Sequence, residues 1–164
     1  MKHKVIVSRD VKGLGQLRSA ALIRKAVSLA LEAEGVDEPC LISAVLTDNE
    51  GIREINREFR GVDSATDVLS FPMNQLQPGC FDAQLCDRDP ESGRIMLGDM
   101  MISVPRCLEQ GEEFGHGYQR EIMYLTVHSV LHLLGYDHVD EGEEQAAMRE
   151  KEEKILKKLG LERK

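Results

Sequence analysis

No apolar run in the 164-residue chain approaches the roughly 20 residues of a membrane span, and the N-terminal segment through Arg9 lacks a signal peptide's long apolar stretch. With neither feature present, a cytoplasmic protein is expected. Cysteine is sparse and scattered. Cys40, Cys80, Cys86 and Cys107 form no Cys-x-x-Cys pair, so neither a cysteine zinc site nor a disulfide framework is indicated, and free thiols are expected. Positive charge is also short. With 21 Lys and Arg against 29 Asp and Glu, the net charge of −8 excludes a surface that holds nucleic acid by bulk positive potential. DNA is not an expected partner, and any RNA affinity has to come from a local basic patch. There are no internal repeats and no low-complexity tract.

What is present suffices for one domain, residues 1–164, because 41% hydrophobic content builds a core without disulfide staples. Strand-like and helix-like segments are mixed along the chain, which predicts an α+β fold. Lys4 to Ser8 reads as a strand. Leu14 to Glu34 carries apolar residues at helical spacing and stops at Gly35. Cys40 to Thr47 is a β-rich run, and Asp48 is placed to cap a short helix over about Glu50 to Phe59. That helix is expected to bury Ile52, Ile55 and Phe59 and to set Arg53, Arg57 and Arg60 along another stripe, ordinarily a solvated face of Glu–Arg pairs. Arg60 stands apart: at the helix end before Gly61, its guanidinium suits a phosphate.

Thr66 to Pro72 reads as a further strand. Met73 to Gly93 is a long loop, expected to be mobile and to act as lid or spacer. Arg94 to Ser103 returns to strand character around Leu97-Gly98-Asp99, where an aspartate needs a partner. Pro105 to Glu113 predicts a short helix, and His116 lacks ligand spacing and is expected to be exposed. After His138, Asp140 to Glu143 resembles a capping box for a last helix that packs Met148, Ile155 and Leu159 inward.

The chain's densest chemistry is His128-Ser129-Val130-Leu131-His132-Leu133-Leu134-Gly135-Tyr136-Asp137-His138. Residues four apart share a helix face, so His128 and His132 point the same way. Gly135 ends the helix and turns the chain so that His138 reaches the same point. A buried histidine is ordinarily a hydrogen-bonded core residue. Three at this spacing predict a metal site instead, because burial favours the neutral imidazole that a metal requires. Three ligands leave a fourth position for water or substrate, the catalytic pattern of zinc.

One absence matters most here. Metzincin proteases have this histidine spacing, with a glutamate after the first histidine that activates the zinc-bound water. Here that position is Ser129, whose hydroxyl is no base near neutral pH, so peptidase chemistry by that route is disfavoured.

Asn56-x-x-Phe59-Arg60, Thr66-Asp67-Val68-Leu69-Ser70-Phe71-Pro72, Leu97-Gly98-Asp99, Ile102-Ser103 and the histidine segment together resemble the YbeY endoribonuclease family, in the same order. The resemblance implies helices around a four-stranded mixed sheet, with a three-histidine metal site in a cleft. It further implies a zinc-dependent, single-strand-specific endoribonuclease acting in maturation of the 3′ end of small-subunit ribosomal RNA and in ribosome quality control. His128, His132 and His138 match the family's ligands, with one zinc per chain, and Arg60 matches its functionally important arginine. Ser129 stands where the family usually has glycine. Asp99 and Asp67 are the candidates for a base. Each also suits orienting an imidazole N–H or capping a strand, and that structural role is favoured for both; Asp99 stands beside Arg60 as the catalytic candidate. The expected partners are single-stranded ribosomal RNA and the ribosome or its small subunit, reached through a ribosomal protein or GTPase. Two alternatives stay open: a non-catalytic, zinc-containing ribosome assembly factor, and a metallopeptidase.

Overall fold

The computed structural model describes residues 2–10, 18–136 and 143–158. Its elements, in chain order, are β1 (Lys4–Arg9), α1 (Ser19–Ala33), β2 (Cys40–Thr47), α2 (Asn49–Arg60), β3 (Val68–Pro72), β4 (Ile95–Ser103), α3 (Val104–Glu113), α4 (Gly117–Leu133) and α5 (Glu143–Lys158). The strands form one sheet in the order β1-β2-β4-β3. β1 and β2 run parallel, as do β2 and β4, while β3 is antiparallel to β4. The expected mixed four-stranded sheet is therefore present.

Alternation along β2 turns Ile42, Ala44 and Leu46 into the core, and Met100 and Ile102 of β4 join them. α1 supplies Ile23, Ala26, Val27, Ala30 and Leu31, an i, i+3, i+4, i+7, i+8 stripe that is fully buried. α4 is buried nearly all round, as its apolar composition requires. It packs on α1, α3, α5 and the β3–β4 side of the sheet. Each fully buried leucine or isoleucine here stabilises the fold by about 1.5–3 kcal/mol.

The ends of the helices are set by local chemistry. Asp48 accepts a hydrogen bond from the Gly51 amide at 2.8 Å, the expected cap of α2. Ser103 caps α3 in the same way through the Arg106 amide. At the end of α4 the Gly135 and Tyr136 amides return to the His132 and Leu131 carbonyls, a Schellman closure around a glycine at φ 102°. The glycine is needed twice over, since a Cβ at this position would lie 2.2 Å from the Leu76 carbonyl oxygen.

Several expectations need adjusting. The inward residue at the end of α2 is Asn56, whose side-chain amide donates to the Ser64 carbonyl at 2.9 Å, whereas Phe59 is 68% exposed and meets the Phe71 ring edge-on. The connection from Met73 to Gly93 is tied down along its length. Asn74 donates to the Met96 carbonyl and accepts from the Asp87 amide, Leu76 enters the core, and Arg88 pairs with Glu38. His116 is half-buried, drawn in by a buried glutamate. All four cysteines are free thiols, as expected, with Cys40 and Cys107 buried and Cys80 exposed. The part of the first predicted helix before Arg18, and the capping box before Glu143, lie outside the described residues. Among the described residues no helix is long and apolar enough to cross a membrane.

Candidate active-site cleft

Where the C-terminal half of α4 crosses β3, a cleft of about 830 Å³ opens between the β3 strand, the segment that follows it, and the end of α2. Its walls include Arg60, Asp67, Ser70, His128, His132 and Tyr136. α4 can cross this closely because Ser129 is small. Its buried hydroxyl lies 2.6 Å from that of Ser70, so each hydroxyl satisfies the other. The serine thus supports the crossing of helix and strand, and this contact gives it no role as a base.

His128 and His132 stand one turn apart, and their Nε2 atoms approach to 3.1 Å with the rings nearly perpendicular. Two nitrogens at about 2.0–2.1 Å from a tetrahedral zinc lie roughly 3.3 Å apart, so the pair already has close to the spacing of two ligands on one ion. The other nitrogen of His128, Nδ1, lies 3.0 Å from Oε1 of Glu152, a carboxylate on α5 that is 3% exposed. An ionised carboxylate only accepts, so Nδ1 is the nitrogen placed to donate to Glu152, and in the neutral ring that leaves Nε2, the nitrogen facing His132, with the lone pair. The donor set thus suits a borderline-soft divalent ion. Among the described residues no group of three or more histidine, cysteine, aspartate or glutamate side chains is close enough to hold a metal. His138 lies outside the described residues.

Tyr124 lies beside the His128 ring, and burial first, then the Glu152 charge, pushes the phenol well above its ordinary range. Tyr136, on the cleft wall just past the helix, donates to Glu34 Oε1 at 2.5 Å and receives Lys151 at 2.6 Å. Burial is the main cause that raises its phenol too.

Arg60 sits at the last position of α2, exposed at the edge of the same cleft, with no ion pair among the described residues. Arg53, its stripe-mate, is instead held by Asp63 at 2.8 Å. Asp67 lines the cleft, but its carboxylate is taken. One oxygen accepts from the Val68 amide at 2.7 Å and the other from Gln110 at 3.3 Å, so it caps the start of β3 as favoured. Asp99 is not among the residues lining the cleft. It is exposed on β4, in register with Ser43 of β2 and Phe71 of β3. The structure therefore brings Arg60, His128 and His132 together and leaves Asp99 apart.

Two features escaped the sequence reading. Glu152 falls on the buried stripe of α5 with Met148, Ile155 and Leu156. A charged residue at helical spacing among inward apolar ones was a signal available in the sequence. Gln110, His116 and the buried Glu121 form a second, partly buried polar chain at the other end of α4, and nothing in the sequence joins Gln110 to it.

The family model described as Endoribonuclease YbeY matches residues 7–160. Among curated proteins, an Endoribonuclease YbeY of Acetivibrio thermocellus is 49% identical over 142 residues, covering 87% of each chain. One from Clostridium botulinum strain 657 is 46% identical over 147 residues, covering 86% of this chain and 88% of its own. Among solved structures, a solution structure of a Thermotoga maritima protein aligns with a TM-score of 0.57 at 20% identity, over 96% of this chain and 92% of that one, a likeness of fold alone.

Proposed function

The chain belongs to the YbeY endoribonuclease family, and from that premise we propose that it is a zinc-dependent endoribonuclease that cleaves single-stranded RNA in the cleft between α4 and the end of α2. The observation that carries this reading is the convergence of the His128 and His132 Nε2 atoms at 3.1 Å in a cleft whose rim carries Arg60. His128, His132 and His138 would hold one zinc ion. When bound, the ion supplies a Lewis acid and a water of lowered pKa.

The chain's own residues supply the rest. Arg60 binds the scissile phosphate at the cleft rim and offsets the charge that develops on its oxygens, a fixed cation needing no reorganisation at the moment of reaction. Its exposure leaves the guanidinium open to an incoming strand, and its place before the Gly61 turn holds its backbone in position. The half-open cleft admits a single strand, whose bases turn away from one another more readily than those of a duplex. Asp67 keeps the entry to β3 in place, and Asp99, outside the cleft lining, has no part in the step.

The substrate in this proposal is ribosomal RNA, cleaved in maturation of the small-subunit 3′ end and in ribosome quality control, with the protein in the cytoplasm. The net charge of −8 supports delivery by a protein on the ribosome, a ribosomal protein or a GTPase, over capture by the chain's overall field. Peptidase chemistry fits poorly, because the residue after His128 is a buried serine paired with Ser70.

The test is cleavage of a labelled single-stranded ribosomal RNA fragment by the purified protein, by His132→Ala and by chelator-treated protein. Cleavage that follows zinc and disappears in the variant supports the reading. Undiminished cleavage by His132→Ala overturns it, and zinc binding without cleavage points to the assembly-factor alternative.

A further inference from the structure

We infer that Glu152 on α5 is a positioning residue for the proposed metal site: it holds the His128 ring in the Nδ1–H form, so that Nε2 faces the ion. The inference rests on the metal-dependent reading above and extends it to the C-terminal helix. Its basis is geometric. Glu152 Oε1 stands 3.0 Å from His128 Nδ1, on the side of the ring opposite the nitrogen that meets His132. The carboxylate is 3% exposed, and a buried carboxylate is costly unless it is hydrogen-bonded. A residue serving only to pack α5 against α4 would be better apolar, like its stripe-mates Met148, Ile155 and Leu156.

Glu152 is also flanked by two anchors that fix where it can reach. Lys151 binds Glu34 at the end of α1 and the Tyr136 hydroxyl, at 3.1 and 2.6 Å. Glu153 receives the buried Arg120 of α4 at 3.3 Å. Three consecutive residues of α5 therefore engage three different neighbours, and the middle one addresses the ligand. A hydrogen-bond acceptor behind a ligating imidazole sets both its tautomer and its ring orientation, and losing one typically weakens metal binding 10–100-fold.

The experiment compares wild type, Glu152→Gln and Glu152→Leu by zinc titration against a chromophoric chelator, by thermal unfolding of the zinc-free proteins, and by the ¹⁵N signature of the His128 ring in zinc-free protein. Expected are a loss of zinc affinity of about 10–100-fold in Glu152→Leu and a smaller loss in Glu152→Gln, whose carbonyl still accepts the same N–H. The wild-type ring should show the Nδ1–H tautomer, and Glu152→Leu should depart from it. Zinc affinity unchanged in both variants, or a wild-type ring protonated at Nε2, would overturn the inference. A change confined to unfolding temperature would also do so, by assigning Glu152 to the fold alone. The ring signature is read without zinc or RNA, so it stands even if the nuclease reading fails, and Glu152→Gln and the wild-type tautomer answer the question should Glu152→Leu not fold.

Discussion

Two histidine–carboxylate pairs lie at opposite ends of α4, and they do different work. At its N-terminal end His116 Nε2 meets Glu121 at 2.5 Å, and the other Glu121 oxygen accepts from Gln110 at 2.9 Å, which in turn reaches Asp67. Both oxygens of the Glu121 carboxylate are spent on protein groups. At the C-terminal end Glu152 meets the Nδ1 side of His128 and the Tyr124 hydroxyl, and the His128 Nε2 is turned toward a second imidazole at the cleft. The pairs share residue types and burial of the carboxylate, at 1% and 3% exposure. What separates them is the place of the histidine: His128 lines the cleft beside a second imidazole and His116 does not, and a histidine is a ligand candidate when its carboxylate leaves a nitrogen facing an open space shared with another donor.

The comparison can be broken most sharply at Glu121. Replacing it with alanine leaves His116 without its acceptor and Gln110 with Asp67 alone, and should cost about 1–3 kcal/mol in urea unfolding while zinc affinity stays within about twofold of wild type. A large loss of zinc affinity there would mean that the two ends of α4 are not independent. Gly135→Ala comes next. A non-glycine side chain at this φ of 102° costs about 1–3 kcal/mol from the backbone alone, and the Leu76 carbonyl in the way adds to it. Because Gly135 closes α4 between His132 and the sequence-predicted ligand His138, this variant should lose stability and zinc together, unlike Glu121→Ala. Tyr136→Phe removes the hydroxyl shared by Glu34 and Lys151 and should cost about 1 kcal/mol, seen as a modest shift in the urea midpoint.

The smallest effect belongs to a pair in solvent. Arg53 and Asp63 lie 2.8 Å apart and are each just over half exposed, so Arg53→Ala should lower stability at neutral pH only slightly and leave zinc content unchanged. That small difference should vanish in acid. The Arg53 hydrogen bond holds the Asp63 carboxyl below its ordinary 3.8, so the pair's small contribution is present above that pH and lost as pH falls through the lowered value. Urea midpoints measured between pH 5 and pH 2 should therefore converge for wild type and Arg53→Ala at the acid end.

Periodicity made most of the fold legible, because strand alternation and helical spacing record directly which side of each element is buried. β2 runs from Cys40 to Thr47 as read, and α4 closes at Gly135 as expected. The pairing of His128 with His132 was legible for the same reason, being a matter of spacing on one helix. Contacts between distant segments were not. Glu152 is 24 residues from His128, and spacing along α5 can say that it points inward but not what it meets. Asn56 displaced Phe59 from the inward position because its amide holds the turn that follows α2, a bond to a backbone carbonyl that no hydrophobic pattern records. His116 seemed exposed because it has no ligand spacing, yet a glutamate five residues on draws it inward. Asp99, taken for a catalytic candidate from the family's sequence blocks, proved exposed on a strand away from the cleft lining, since a motif residue's position in the chain does not say which way its side chain faces.

The most direct test of the account is the zinc content of three purified proteins: wild type, His116→Ala and His128→Ala. The account predicts one zinc per chain in wild type and in His116→Ala, and less than about a tenth of that in His128→Ala, because only the second histidine turns a lone pair to the shared site. Zinc lost from His116→Ala and kept by His128→Ala would contradict it, as would a wild-type protein that binds none.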